Sequence, residues 1–187
     1  FAEGELKDFG KERCGILTPI TKAWISDLSV ELTSMAIQVY GGMGYVEETG
    51  IAQYFRDARI APIYAGTNGI QAEDLVFRKI TLNDGKAVES LLKEMRTNIS
   101  SMKEHENLEP LSEILERHVA EIEEATQYLL KELGKGNLAG VSASGTPYLK
   151  MFGQVLGGHY MGKAAVTATK NLLEDNTEFY NDKFTLS

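Results

Sequence analysis

Apolar side chains recur every three or four residues along most of the chain, which is the spacing of one face of an α-helix. The first stripe consists of Leu17, Ile20, Trp24, Leu28, Leu32, Met35 and Val39. It predicts a long helix with Pro19 near its start, where the missing N–H leaves no intrahelical hydrogen bond unmade. We expect that helix to stop at Gly41-Gly42, and we interpret Trp24 as a core anchor.

Five further helices are predicted by the same spacing. They cover about 47–59, 70–80, 88–102, 111–133 and 146–174. Either Thr67 or Asn68 is a suitable N-cap for the third helix of the chain, and Gly134 with Gly136 would end the fifth. The Gly/Ser-rich stretch from Gly134 to Gly145 is expected to be a connector. Because no segment shows sustained alternation of apolar and polar residues, the predicted fold class is all-α, an antiparallel helical bundle with about six main helices.

Small residues are concentrated in the last predicted helix. They are Gly153, Gly157, Gly158, Gly162, Ala164, Ala165 and Ala168. Their spacing predicts a close approach of a neighbouring backbone. Polar side chains such as Lys150, His159 and Lys163 interrupt the apolar face, which favours packing in a soluble bundle over a membrane dimer.

A polar turn at Asn83-Asp84-Gly85 separates the six helices into two groups of three. Turn residues between two periodic segments are typical of a boundary between structural units. We therefore predict two units, one over residues 1–82 and one over residues 83–187.

Composition and charge narrow the function classes. The 187 residues are 43% hydrophobic and 25% charged, which is typical of a soluble globular protein. Nucleic-acid binding is disfavoured because 27 acidic residues outnumber 19 basic ones, for a net charge of -8. No apolar run reaches the roughly 20 residues that cross a bilayer. Cys14 has no cysteine partner, which fits a reducing cytoplasm.

Two glycine-bearing turns are the strongest candidates for chemistry. They span residues 38–45 and 63–71, and both adjoin predicted helix ends. The second precedes a helix, where free backbone N–H groups favour an anion and glycines let a phosphate come close. Thr67 adds a hydroxyl donor there. A metal site is not predicted, because the three histidines lack recognisable ligand spacing.

The order and spacing of these motifs resemble the C-terminal signature of acyl-CoA dehydrogenases. The motifs are Gln-x-x-Gly-Gly-x-Gly-Tyr at 38–45, Arg-Asp-Ala-Arg at 56–59 and Ile-Tyr-x-Gly-Thr at 63–67. The resemblance runs from about Leu17 to Ile80. It is nearest to long bacterial members similar to methylthiopropanoyl-CoA and related dehydrogenases, which continue into an extra helical segment. By this resemblance, 1–82 is the family's C-terminal helical domain, truncated on its N-terminal side, and 83–187 is the extension.

The resemblance implies a reaction and a set of site residues. Members of the family use FAD to take a hydride from the acyl β-carbon while a carboxylate takes the α-proton, giving a trans-2-enoyl-CoA. The implied residues facing the adenosine end of FAD in a neighbouring subunit are Gln38, Gly41 and Gly42. Thr67 would approach the flavin pyrophosphate, and Tyr64 and Gly66 would border the acyl-thioester pocket. The implied partners are an acyl-CoA, an electron-transfer flavoprotein or another acceptor, and further copies of the chain.

Ala65 departs from the family pattern. Many relatives have their catalytic glutamate at this position, between Tyr64 and Gly66, and a methyl group cannot accept a proton. Three explanations follow: a base on an earlier helix outside this chain, an inactive variant, or a member with altered chemistry. The first is favoured. No catalytic residue is therefore expected within residues 1–187, and the chain alone is expected to be colourless and inactive.

A non-catalytic helical module for interaction or oligomerisation is the alternative function. Such a module would retain the bundle without the chemistry, and Ala65 is the observation that favours it. The chain begins with Phe1 rather than methionine, which suggests a piece of a longer protein.

Overall fold

The structure is a computed structural model that describes residues 3–174 and 178–186. Its α-helices are α1 (Glu3–Tyr40), α2 (Gly42–Tyr45), α3 (Ile51–Ile60), α4 (Asn68–Asp74), α5 (Lys86–Lys103), α6 (Glu109–Gly134), α7 (Leu138–Glu174) and α8 (Glu178–Leu186). Short 3-10 turns cover Glu47–Thr49, Leu82–Gly85 and Glu106–Leu108, and a π-helical turn, Leu75–Lys79, continues α4. These residues contain no β-strand, so the predicted all-α class is confirmed.

Helix α1 begins well before the predicted start. It runs without a break from Glu3, so Pro19 lies inside the helix rather than in its first turn, and that part of the prediction is wrong. An interior proline costs about 3 kcal/mol in a helix. Ile16, Ile20 and Ala23 are each at most 1% exposed around it, so burial of this face offsets the local penalty.

The apolar stripe of α1 is buried only in its first part. Leu32 and Met35 are 54% and 57% exposed, and Val39 is 85% exposed. The second part of α1 therefore extends past the core of this chain with its apolar side uncovered.

Helix α7 also starts earlier than predicted, at Leu138. Residues 138–145 of the expected Gly/Ser-rich connector are therefore helical, and Pro147 lies within α7. The start is set by Gly136, which has a left-handed φ of 75°, and by Asn137, whose side-chain oxygen accepts a hydrogen bond from Gly140 N at 3.1 Å. An asparagine N-cap is a strong local start signal. The predicted end of α6 at Gly134 and Gly136 is confirmed.

One hydrophobic core contains residues from both sides of the predicted boundary. Its largest fully buried members include Ile16, Ile20, Leu75, Ile80, Leu91, Met95, Ile122 and Phe152. Helices α5, α6 and α7 pack on one another, and α1 and α4 pack against α7. The division at 82/83 stays a prediction about how the chain is organised.

The glycines of α7 make room mainly for side chains rather than for a backbone. Gly153 and Gly157 lie under the indole of Trp24, and Gly162 lies under the thioether of Met102. The close backbone approach occurs instead at Gly145, where a Cβ would lie 3.4 Å from the carbonyl oxygen of Ala72 on α4.

A polar cluster joins three helices around Glu94 on α5. Arg13 on α1 forms an ion pair with this carboxylate, and Lys163 Nζ on α7 lies 3.2 Å from it. His159 Nε2, also on α7, lies 3.4 Å from Glu94 Oε1 although the imidazole is fully buried. Burial lowers the pKa of His159, and this effect outweighs the opposing hydrogen bond and charge of Glu94.

Candidate functional site

The first glycine turn breaks the chain sharply after α1. Gly41 has φ 60° and ψ -145°, a conformation open essentially to glycine alone. Gly44 is buried, and a Cβ there would lie 2.5 Å from the carbonyl oxygen of Ile37. Gln38, Gly41 and Gly42 are exposed, so the structure leaves these predicted cofactor-binding residues accessible.

An exposed salt bridge joins the segment after this turn to α3. Both guanidinium terminal nitrogens of Arg56 donate to the carboxylate of Glu47, at 2.8 and 2.9 Å. Arg56 lowers the pKa of Glu47 through these hydrogen bonds. Beside them is an open cavity of about 570 Å³, lined by Ile37, Tyr45, Val46, Glu47, Glu48, Ala52, Phe55 and Arg56.

The second glycine turn presents consecutive residues in left-handed conformations. Ala65 has φ 53° and Gly66 has φ 82°. Tyr64 is 59% exposed, and Ala65, Gly66 and Thr67 are exposed as well. The side chain of Gln71 stabilises the turn by donating a hydrogen bond to the carbonyl oxygen of Ala65 at 3.1 Å.

Thr67, rather than Asn68, is the N-cap of α4. Its hydroxyl oxygen accepts from Ile70 N at 3.4 Å, which leaves the hydroxyl hydrogen free to donate. Within residues 3–174 and 178–186, the backbone N–H groups of Thr67 and Gly69 have no hydrogen-bond acceptor. Three donors of the turn are thus available to an acceptor outside the chain.

Asn68 and Lys22 attach this turn to α1. Lys22 Nζ donates to the carbonyl oxygen of Gly66 at 2.6 Å and to the side-chain oxygen of Asn68 at 2.8 Å. Asn68 Nδ2 donates in turn to Ala23 O at 3.0 Å and to Asp27 Oδ1 at 2.7 Å. Sequence reasoning missed the role of Lys22, because a contact between residues 44 positions apart leaves no local pattern.

The two turns lie far apart within one chain. The second is attached to α1 at Lys22–Asp27, whereas the first follows Tyr40 at the end of the same helix. At 1.5 Å per residue, the separation along α1 is about 20–30 Å. One chain therefore does not bring Gln38, Gly41 and Gly42 next to Thr67.

A separate apolar cavity of about 320 Å³ lies between α6 and α7, at the end of α5. It is lined by Met102, Leu111, Ile114, Leu115, His118, Met151, Gln154, Val155, Gly158, Met161, Gly162 and Ala165. None of the predicted site residues lines it. Among the residues that the structure describes, no cluster of His, Cys, Asp or Glu is arranged to bind a metal ion. Likewise, none of the described helices is long and apolar enough to cross a membrane.

Two family descriptions match the chain. "Acyl-CoA dehydrogenase, C-terminal domain" matches residues 4–80, and "Acetyl-CoA dehydrogenase C-terminal like" matches residues 91–187. The first range contains both glycine turns. The second begins within α5 and continues through α8.

Individual relatives give the same family. A 3-methylmercaptopropionyl-CoA dehydrogenase of Ruegeria pomeroyi is 34% identical over 170 residues, which is 89% of this chain and 29% of that protein. A butyryl-CoA dehydrogenase of Syntrophomonas wolfei is 34% identical over 54% of this chain and 17% of its own length. A broad-specificity linear acyl-CoA dehydrogenase of Mycobacterium tuberculosis is 37% identical over 39% of this chain and 12% of its own length. The chain spans less than a third of each relative.

Proposed function

The chain belongs to the acyl-CoA dehydrogenase family, as a C-terminal part, and on that premise we propose that it completes the FAD site of an enzyme that converts an acyl-CoA to a trans-2-enoyl-CoA. The observation that carries the proposal is the turn at Gly66-Thr67. It offers the Thr67 hydroxyl and the N–H groups of Thr67 and Gly69 on an exposed surface.

The donors of this turn fit an anionic group. Phosphate oxygens accept hydrogen bonds from backbone N–H groups and hydroxyls, and the left-handed glycine allows a close approach. Thr67 would bind the pyrophosphate of FAD, and the nearby Tyr64 and Gly66 would border the acyl thioester. When bound, FAD supplies the hydride acceptor for the acyl β-carbon.

The first turn would contact a second FAD molecule, not the one bound at Thr67 of the same chain. Because about 20–30 Å of α1 separates the turns, Gln38, Gly41 and Gly42 would contact the adenosine end of FAD held mainly by a neighbouring copy. This arrangement makes the enzyme a homo-oligomer. The exposed Val39, on the same part of α1, supports a covered surface there.

The proton acceptor for the acyl α-carbon would come from outside residues 1–187. Ala65 occupies the position of the usual glutamate and has no titratable group. A carboxylate on an earlier helix of the full-length protein is proposed instead. The proposed electron-accepting partner is an electron-transfer flavoprotein or another acceptor, in the cytoplasm.

The two units predicted from the sequence divide this work. Residues 1–82 would carry the cofactor and substrate contacts, and residues 83–187 would form the supporting extension. Each of the two family matches lies within one of these units.

Flavin content and substrate-dependent reduction test the proposal. The full-length protein that contains this chain is expected to purify with FAD and to lose its flavin absorbance when an acyl-CoA is added without oxygen. Residues 1–187 alone are expected to be colourless. A full-length protein that folds but neither binds FAD nor responds to any acyl-CoA would favour the alternative, a non-catalytic helical module, for which Ala65 is the specific observation.

A further inference from the structure

The ammonium group of Lys22 holds the second glycine turn from both sides of Thr67. Its two acceptors belong to Gly66, one residue before Thr67, and to Asn68, one residue after it. Both contacts are charge-assisted, and such hydrogen bonds are roughly twice as strong as neutral ones. Lys22 therefore fixes the backbone carbonyl of Gly66 before Thr67 and the side chain of Asn68 after it.

The orientation of Asn68 is set by α1. Its Nδ2 donates to the Ala23 carbonyl and to the Asp27 carboxylate, so its side-chain oxygen must face Lys22. The buried hydroxyl of Ser26 also contacts this carboxamide, at 2.9 Å from its nitrogen and 3.2 Å from its oxygen. Neither end of the carboxamide is free to rotate without breaking hydrogen bonds.

The geometry of a peptide group links this clamp to the exposed donors. In a trans peptide the C=O and the following N–H point in opposite directions. Because the Gly66 carbonyl points at Lys22 on α1, the N–H of Thr67, which belongs to the same peptide group, points away from α1. This N–H is one of the donors without an acceptor in the described part of the chain.

We propose that Lys22 is a positioning residue for anion binding at the Gly66-Thr67 turn. By fixing the Gly66 carbonyl, it aims the Thr67 N–H outward. Its positive charge would also lie close to an anion that accepts from the Thr67 N–H. This inference rests on the proposed function, which places the pyrophosphate of FAD at Thr67.

Affinity for FAD in the full-length apoprotein tests the role of Lys22. Lys22→Met removes the ammonium group. Lys22→Gln is a milder change, because it removes the charge but keeps an N–H donor on a shorter side chain. Both are expected to weaken FAD binding about tenfold, the loss typical of one charge-assisted hydrogen bond. Lys22→Arg keeps the charge and donors and is expected to stay within about threefold of the wild type. Lys93→Met is the matched control, because Lys93 is exposed on α5 and its side chain has no partner among the described residues.

The outcomes separate the role of Lys22 from the proposed function. A wild-type protein without affinity for FAD rejects the proposed function. A wild type that binds FAD, beside a folded Lys22→Met or Lys22→Gln protein with equal affinity, rejects only the positioning role. That role is also rejected if the variants that lose affinity for FAD also have a lower unfolding temperature as apoproteins and Lys22→Arg does not restore the affinity. Lys22 would then act through general stability.

Discussion

The indole of Trp24 on α1 lies directly on Gly153 of α7. A Cβ at position 153 would lie 2.7 Å from Trp24 Cβ and 2.8 Å from Trp24 Cδ2, closer than real side chains approach. The next turn of α7 continues the contact, because a Cβ at Gly157 would lie 2.8 Å from the far edge of the same ring. This pair of glycines lets α1 pack on α7.

We predict that Gly153→Ala destabilises the chain. The methyl group meets the base of a large, half-buried ring, so overpacking of about 1–3 kcal/mol should exceed the gain of about 1 kcal/mol in helix propensity. Gly158→Ala on the same helix is the control, since its Cβ would make an ordinary contact of 3.4 Å with Leu115. Urea unfolding of both variants measures the difference. If both variants were stabilised equally, the close contact between residue 153 and Trp24 would be contradicted.

Asn137 is predicted to determine where α7 starts. Asn137→Ala removes the N-cap hydrogen bond to Gly140 and the donor to Glu132 Oε2 at 2.8 Å, and should cost about 1 kcal/mol. Asn137→Asp keeps the cap but puts a second carboxylate beside Glu132. Its deficit in the free energy of unfolding should therefore shrink as the pH is lowered and the carboxylates become protonated. A deficit that does not change with pH would show that Glu132 and residue 137 do not interact.

The buried His159 predicts a loss of stability in mild acid. Its pKa is held below the ordinary 6.5, so in that range the unfolded chain binds a proton that the folded chain does not. The free energy of unfolding should fall as the pH drops below 6.5 and should not depend on His159 above about pH 8. Urea unfolding from pH 5 to 8 would measure this, with His159→Gln expected to have a shallower slope. An unchanged slope in His159→Gln assigns the pH dependence to other groups.

Ala65→Glu tests whether residue 65 faces the substrate. Ala65 already has a left-handed φ of 53°, so a glutamate there meets backbone strain that the chain tolerates now. In the full-length enzyme we expect the variant to change the dehydrogenation rate or its pH profile across several acyl-CoA chain lengths, while Ala65→Gln, which has no proton acceptor of comparable basicity, does not reproduce the change. If Ala65→Glu leaves both unchanged, residue 65 does not border the reacting carbon atoms.

Signals read from local backbone chemistry predicted the helix ends well. Gly41, Gly134 and Gly136 end helices as expected, and Thr67 caps α4, because these effects depend on a few neighbouring residues. Pro19 and Pro147 misled the prediction. Their local cost is real, but the core around Ile16 and Phe152 outweighs it, and sequence periodicity does not measure that burial.

Long-range relationships could not be predicted from the pattern. The stripe through Leu32 and Val39 has helical spacing, yet periodicity marks an apolar face without saying whether anything in the chain covers it. The contact of Lys22 with Gly66 joins residues that are adjacent only after folding. The motifs around Gly41 and Gly66 indicated the family, whereas their distance along α1 depends on the long-range attachment of the second turn to Lys22.

The contact of Gly145 with the Ala72 carbonyl ties α7 to α4 across the predicted boundary at 82/83. A Cβ at residue 145 would lie in ordinary van der Waals contact with this carbonyl oxygen, at 3.4 Å, and the buried Val76 lies next to the same contact. Because the hydrophobic core also contains residues from both sides of this boundary, neither half can loosen without exposing the other to water. Heating or denaturant should consequently unfold both halves together, in one sigmoidal transition, although the two halves match two different family descriptions.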